Sequence, residues 1–186
     1  MPKRNFLDNY GDLNPEKRAD IILDHFSDFP SIIEGQKKIL VLKIRNESDY
    51  LRKAKRDELG TVVLTSGRAD PTAKQAVEHV YIEELIQKGD DISELIRGME
   101  SEDKTAYHRQ FHILMKMQEE YAILEGQLML MSSNEKKMFQ LYSECGHDFQ
   151  YIAEQEGIQY DSVRRRIWKI RKKIKNKAVL NMSEVI

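Results

Sequence analysis

The chain has 186 residues, with 30 Lys plus Arg against 31 Asp plus Glu, a length that suits one compact domain or two small ones. About 40% of the residues are apolar, while nine glycines and four prolines are too few for a disordered linker protein or a β-rich fold with many turns. The composition therefore predicts an all-α fold.

The first predicted helices lie in the N-terminal third. Asn14 followed by Pro15 predicts a helix start, because Asn caps helices and proline suits their first turn. We expect Pro30 to end or interrupt that helix. Residues 31–60 predict a longer helix, since apolar side chains recur near helical spacing. The β-branched cluster at 39–44 is also typical of a short strand.

The clearest break is the stretch "TVVLTSGRADPTAK", in which Ser66 and Gly67 predict a turn. Asp70 then caps a helix that we expect over residues 71–88. Gly89 stops this helix, and the Asp pair that follows it predicts the start of another short one.

A two-stripe heptad pattern runs through residues 102–131. The first stripe consists of Tyr107, Leu114, Tyr121 and Leu128, and the second of Met117, Leu124 and Met131. Gln110 breaks the second stripe, and the pattern lasts only about three heptads. It is therefore compatible both with packing inside one chain and with a dimeric coiled coil, so a homo-oligomer is an expected assembly.

Three shorter helices are predicted after residues 132–134, which end the long helix and offer a cap for the next. The first closes at Gly146, and Asp148 caps a second that ends at Gly157. The third begins near Tyr160 and continues to about residue 177. We therefore expect a helical body at 1–131, a helix-turn-helix domain at 132–178 and a tail at 179–186.

The link between the last two helices has the residue types that a helix-turn-helix requires. Ala153 is small where two helices must approach closely, and Gly157 can adopt the positive φ of a sharp turn. Val163 fills the small core between the helices, with Ile152 and Ile167 beside it. Together with the caps and a basic third helix, this pattern favours a helix-turn-helix.

Positive charge is concentrated in the third helix. Residues 159–177 hold nine basic residues against Asp161, a charge of +8, so the remainder of a chain whose total is −1 carries −9. This asymmetry is typical of a segment that binds a polyanion, although a solvated helix face would also show it.

Helical geometry predicts which side of this helix meets DNA. Apolar residues at 163, 167, 170 and 174 face the core, so Arg165, Trp168 and Lys172 face outward. Alternatively, Trp168 packs under the first helix of the motif. The predicted contacts with base edges are Tyr160, Ser162, Arg164, Arg165 and Trp168. The predicted contacts with phosphates are Lys169, Arg171, Lys172, Lys173 and Lys175.

The segment "YIAEQEGIQYDSVRRRIWKIRKKI" resembles sigma-70 region 4 and its relatives, over about a quarter of the chain. Its characteristic apolar, small and basic positions hold Ile152, Ala153, Gly157, Val163, Ile167, Lys169 and Ile174. Gln159 and Tyr151 depart from the usual cap and acidic residues, which bears on base preference more than on the fold. The N-terminal arrangement, with "LTSGRADPTAKQAV", looks like phage and prophage late transcriptional regulators of the ArpU/RinA type. This resemblance implies a small activator of phage late genes acting at a promoter.

Other functional classes find little support in the sequence. His108 and His112 have a metal-compatible spacing, but the Glu of a zincin motif is missing, and surface histidines are the simpler interpretation. Cys145 beside His147 lacks an orienting carboxylate. We therefore expect no enzyme, no metal and no cofactor. A single cysteine, no predicted signal peptide and no long apolar run favour a cytoplasmic protein that does not enter membranes.

Double-stranded DNA is thus the expected partner, and RNA polymerase is a further candidate. Two alternatives remain open at this point. One is a small terminase subunit that recognises phage DNA for packaging, and the other is a sigma-like protein that docks on RNA polymerase without recognising a DNA sequence.

Overall fold

A computed structural model describes residues 6–58, 71–146 and 148–182. Within these ranges the chain forms eight α-helices and no β-strand, which confirms the all-α prediction. The helices are α1 (Phe6–Gly11), α2 (Pro15–Asp24), α3 (Phe29–Glu58), α4 (Pro71–Lys88), α5 (Ser101–Met129), α6 (Ser133–Glu144), α7 (Phe149–Glu156) and α8 (Tyr160–Val179).

The start of α2 follows the prediction, because the Asn14 side chain accepts a hydrogen bond from the Lys17 amide at 2.9 Å. Its end does not. The helix stops at Asp24, and Pro30 lies in the first turn of α3, where its missing N–H group leaves no helical hydrogen bond unmade. Residues 39–44 are helical, since burying Val41 and Ile44 outweighs their strand preference.

Helix α4 has the predicted bounds and ends before Gly89, whose φ is 80°. The short helix predicted after Gly89 is wrong. Residues 93–98 form consecutive turns in which the amides of Leu95 and Ile96 donate to the Ile92 carbonyl. These turns already bury Ile92 and Ile96, and so short a segment does not repay helix nucleation. The turn predicted at Ser66 and Gly67 lies outside the described residues.

The described residues divide into two compact units. Unit 1 combines the residues up to Ile33 with those from Lys116 onward, and unit 2 comprises Glu34–Met115. This division differs from the predicted boundary between residues 131 and 132. In unit 1, α2, α6 and α7 all pack on α8, so the N-terminal helices share a core with the C-terminal ones.

A buried ion pair connects α2 to α5 inside unit 1. Arg18 and Glu120 are each only 1% exposed, and the Arg18 Nη2 group donates to Glu120 Oε1 at 2.8 Å. The second guanidinium terminus donates to the Leu13 carbonyl. The Tyr10 hydroxyl donates to Glu120 Oε2 at 2.6 Å. Burial, together with the Glu120 charge, raises the pKa of Tyr10, so the hydroxyl keeps its proton and remains a donor.

Most residues of the α5 heptad stripes are buried within a single chain, while Tyr107 and Tyr121 are partly exposed. Leu114, Met117 and Leu124 have no exposed surface, and Leu128 is 4% exposed. Their burial matches the intramolecular alternative for this pattern. These side chains therefore leave no apolar seam of α5 for a second helix.

Removing one partner of the buried pair should destabilise unit 1. We expect Arg18→Met to lower the free energy of unfolding by about 3–5 kcal/mol, because Glu120 is left charged and buried. Urea denaturation followed by Trp168 fluorescence measures this loss.

The matched control is Lys137→Met, which removes an ion pair with Glu156 in which Lys137 is largely exposed. This variant should lower the free energy of unfolding by less than about 1 kcal/mol. Equal losses in the two variants would show that the Arg18 pair does not hold α2 in place.

Candidate nucleic-acid interface

Helices α6 to α8 form a helix-turn-helix, and predicted capping residues set the starts of α6 and α7. Ser132 caps α6 in a capping box with Glu135, in which each side chain accepts a hydrogen bond from the other residue's backbone amide. Asp148 caps α7 by accepting from the amides of Gln150 and Tyr151 at 2.9 and 3.1 Å. Gln159 is the cap residue of α8 but makes no side-chain cap hydrogen bond.

The turn between α7 and α8 has the predicted geometry. Gly157 is left-handed, with φ 63° and ψ 32°, a conformation that most other residues adopt only with strain. The Ile158 amide donates to the Ala153 carbonyl at 3.1 Å and closes the end of α7. The other predicted motif residues, Ile152, Ala153, Val163 and Ile167, are all buried.

Four isoleucine and valine side chains anchor α8 in the core of unit 1. They are Val163, Ile167, Ile170 and Ile174, each no more than 3% exposed. The opposite side of the helix faces solvent, and Trp168 on that side is 60% exposed. Trp168 is therefore not packed under α6, and its indole lies among basic side chains.

The residues predicted to contact base edges lie at the N-terminal half of α8. Arg164 and Arg165 are exposed, Tyr160 is 44% exposed, and Ser162 is half-buried. The Tyr160 ring packs edge-on against Phe149, with 6.0 Å between ring centroids. The N-terminal end of α8 therefore presents two adjacent arginines and the Tyr160 ring, which packs against Phe149 of α7.

A cleft of about 690 Å³ lies beside this part of α8. Its lining includes Tyr142, Phe149, Asp161, Arg164, Arg165 and Trp168. Tyr142 and Phe149 stack with 5.4 Å between ring centroids. The cleft thus combines aromatic surfaces with cationic side chains, a combination that suits a planar or anionic binding partner.

The five residues predicted to contact phosphates fall into two groups. Lys169 and Lys172 are exposed, and neither has a carboxylate partner among the described residues. The ammonium group of Lys172 lies 4.9 Å from the centroid of the Trp168 ring, a cation–π contact.

The remaining three are held by acidic side chains of the same unit. Arg171 pairs with Asp24 and Lys175 pairs with Asp20, at 2.7 Å for the lysine. Lys173 pairs with Glu135 at 3.0 Å. The charge of each of these three side chains is therefore partly neutralised by a neighbouring carboxylate.

Sequence analysis missed the role of the two α2 carboxylates. Asp20 and Asp24 are four residues apart, as are Lys175 and Arg171, so two antiparallel helices can form both pairs at once. That matched spacing is visible in the sequence. Many pairs of helices, however, have oppositely charged residues at matching four-residue spacings. The sequence contains no further signal that α2 packs against α8.

Hydrogen bonds and neighbouring charges favour the ionised forms of Glu135 and Arg171. Hydrogen bonds from the side chain and the amide of Ser132, followed by Lys173, lower the pKa of Glu135 to about 2. Burial opposes the charged form of Arg171, but Asp24 and Tyr142 raise its pKa on balance. Tyr142 also accepts a hydrogen bond from Arg171 at 2.8 Å.

No family model, curated protein or solved structure matches this chain. The interpretation of α8 therefore depends on its own geometry and charges.

The alternative sites considered from the sequence involve His108, His112, Cys145 and His147. His108 and His112 stack with 6.2 Å between ring centroids, and the described residues contain no group of three or more side chains suited to a metal. His147 lies outside the described residues. No helix in the described part of the chain has the length and apolar character needed to cross a membrane.

The capping box makes the stability of the folded protein depend on pH. Because folding lowers the pKa of Glu135, its ionised form stabilises the protein above the ordinary value near 4.5, and this contribution is lost as the pH falls towards 2. At pH 7 we expect Glu135→Ala to lower the melting temperature by about 2–4 °C. Thermal unfolding between pH 7 and pH 2 should show the two proteins converging.

Glu119→Ala is the control, since Glu119 is an exposed carboxylate on α5. Its melting temperature should stay close to the wild-type value at every pH. A constant difference between Glu135→Ala and wild type down to pH 2 would contradict the assignment.

Proposed function

We propose that the protein is a sequence-specific DNA-binding transcriptional regulator that inserts the N-terminal half of α8 into the major groove. The observation that carries the proposal is the exposed face of α8, in which Arg164, Arg165 and Trp168 lie on the third helix of a helix-turn-helix. The resemblance to phage and prophage late regulators adds the expectation that it activates late genes.

Charge distribution supports DNA as the partner. Residues 159–177 carry +8, whereas the remainder of the chain carries −9. An acidic body is repelled by the phosphate backbone, so only the basic helix is drawn to it. This arrangement selects one orientation of the protein on the duplex.

The side chains of α8 then have separate roles. Arg165 is the leading candidate for a bidentate contact with guanine, since its guanidinium fork matches the O6 and N7 atoms. Trp168 suits contact with a thymine methyl group or a sugar. Lys169 and Lys172 lead the phosphate contacts, because no neighbouring carboxylate in the described part of the chain neutralises their charge.

The cleft beside α8 favours a second candidate function, in which the protein docks on RNA polymerase as a sigma-like factor. Its aromatic lining, with Tyr142 and Phe149, suits an apolar protein side chain as well as a nucleotide. The dependence of DNA binding on salt concentration distinguishes the two functions. Many phosphate contacts predict a steep loss of affinity as salt rises, together with a preference for one sequence.

The decisive experiment recovers and sequences the fragments that the protein retains from host and prophage DNA. We expect enrichment of a promoter-proximal site and its loss in Arg165→Glu, with affinity for that site about a hundredfold weaker.

Arg97→Glu is the matched control, because Arg97 is 79% exposed and lies in unit 2. It should retain the enriched site. Retention at a packaging start site would instead favour a small terminase subunit. No sequence enrichment at moderate salt would contradict both DNA-binding functions.

The division among the basic residues gives a quantitative prediction. Lys169→Ala and Lys172→Ala should each reduce the slope of log affinity against log salt by about 0.9. Each variant makes one phosphate contact fewer, so its binding releases one counterion fewer from the DNA. Arg171→Ala should have a smaller effect on that slope and a larger effect on stability, since Asp24 loses its partner. Binding titrations at several salt concentrations, beside thermal unfolding, measure both quantities.

Equal slopes for wild type, Lys169→Ala and Lys172→Ala would remove these two lysines from the phosphate contacts.

A further inference from the structure

One edge of α8 is formed by four side chains at helical spacing. They are Arg164, Trp168, Arg171 and Lys175, which are separated by four, three and four residues. The first two are exposed and belong to the proposed base contacts. The side chains of the last two are only 22% and 25% exposed, and α2 packs along this part of the edge. The same edge of α8 is therefore exposed at its start and covered at its end.

The carboxylates of α2 lie between the two covered cations and the solvent. Asp24 accepts a hydrogen bond from Arg171, and Asp20 accepts one from Lys175 at 2.7 Å. The two carboxylate side chains are 51% and 48% exposed, about twice as much as the cations that they hold. A phosphate that approaches this edge therefore meets a carboxylate before it meets the cation.

Asp20 lies at the rim of the proposed DNA interface. A small cleft of about 250 Å³ is lined by Asp20, Trp168, Arg171 and Lys172. Trp168 and Lys172 are among the exposed side chains that we assign to DNA contacts. The carboxylates of α2 are thus close enough to the interface to change the charge that DNA encounters there.

The position of α2 is fixed by its buried face. Ala19, Ile22 and Leu23 are each at most 1% exposed in the core of unit 1. Moving α2 away from α8 would expose this apolar surface to water, which is unfavourable. The two carboxylates therefore stay beside α8 when DNA approaches.

We propose that Asp20 and Asp24 limit the affinity of α8 for DNA of any sequence by neutralising Lys175 and Arg171. Contacts between cations and phosphates supply most of the sequence-independent affinity for DNA. Each α2 carboxylate partly cancels the attraction between its cation and a phosphate. This role of α2 rests on the proposed DNA-binding function, whose base contacts lie on the N-terminal half of the same helix.

Replacing both carboxylates with the isosteric amides tests this role. We expect Asp20→Asn/Asp24→Asn to bind a labelled duplex of arbitrary sequence about tenfold more tightly than wild type at low salt. The slope of log affinity against log salt should steepen by up to about 0.9 for each of the two cations. Fluorescence anisotropy of the labelled duplex, titrated with the full chain at several salt concentrations, measures both quantities.

Glu16→Gln is the matched control, because Glu16 is an exposed carboxylate one turn before Asp20 on the same helix. The spacing of the two ion pairs places the apolar Val179 of α8, rather than a cation, opposite Glu16. Glu16→Gln should therefore bind the duplex within about twofold of the wild-type affinity. A gain as large as that of Asp20→Asn would show that only the total charge of α2 matters, and would overturn the proposed role.

A double-mutant cycle tests whether Asp20 acts through Lys175. Asp20→Asn alone should strengthen binding to the duplex about threefold at low salt. The gain should largely disappear when Asp20→Asn is combined with Lys175→Ala, because the neutralised cation is then missing. A gain of the same size without Lys175 would contradict the neutralisation.

Thermal unfolding of every variant checks that it is folded. Both carboxylates are about half exposed, so we expect the amides to lower the melting temperature by a few degrees at most. Equal affinities and equal slopes for wild type and Asp20→Asn/Asp24→Asn would overturn the role of α2 and leave the DNA-binding proposal standing. If neither protein bound the duplex at low salt, DNA binding itself would be contradicted, and the role of α2 with it.

Discussion

The buried pair between Arg18 and Glu120 is the constraint on which the arrangement of unit 1 depends. A guanidinium and a carboxylate that are both excluded from water are costly unless they meet in good geometry. Here the guanidinium also donates to the Leu13 carbonyl, and the carboxylate also accepts from Tyr10. A placement of α2 that separated Arg18 from Glu120 would leave a buried charge without this partner. The pair therefore specifies one position for α2 more than it adds stability.

The position of α2 determines the charges that α8 presents. Its two carboxylates, Asp20 and Asp24, meet Lys175 and Arg171 on the C-terminal half of α8. That half is thereby partly neutralised and bound to the body of unit 1. The N-terminal half retains Arg164 and Arg165, which are exposed and have no carboxylate partner in the described part of the chain. In the C-terminal half, Arg171 and Lys175 are held by α2 while Lys172 stays exposed. The N-terminal half, with its two available arginines, is the one that a helix-turn-helix directs at base edges.

A similar division applies to apolar surface. The stripes of α5 have the regular spacing of a coiled coil but are used inside the chain, whereas α4 has weaker periodicity and keeps Val77 and Tyr81 exposed. Heptad spacing indicates that one stripe of a helix is buried. It does not indicate whether that stripe packs against the same chain or against a second copy. Exposure in the folded chain shows that most of the heptad side chains of α5 are covered, whereas Val77 and Tyr81 of α4 are not.

The sequence by itself determined the features that depend on neighbouring residues. Asn14 and Asp148 cap helices, Gly157 makes the turn, and the spacing of Val163 and Ile167 aims α8, because these effects act within a few residues. The tertiary structure alone decided that α2 packs on α8. Asp24 and Arg171 are 147 residues apart, and their pairing depends on which helix faces fit together in the core. Local patterns are compatible with many such fits, so only the folded chain shows which of the basic residues of α8 remain available.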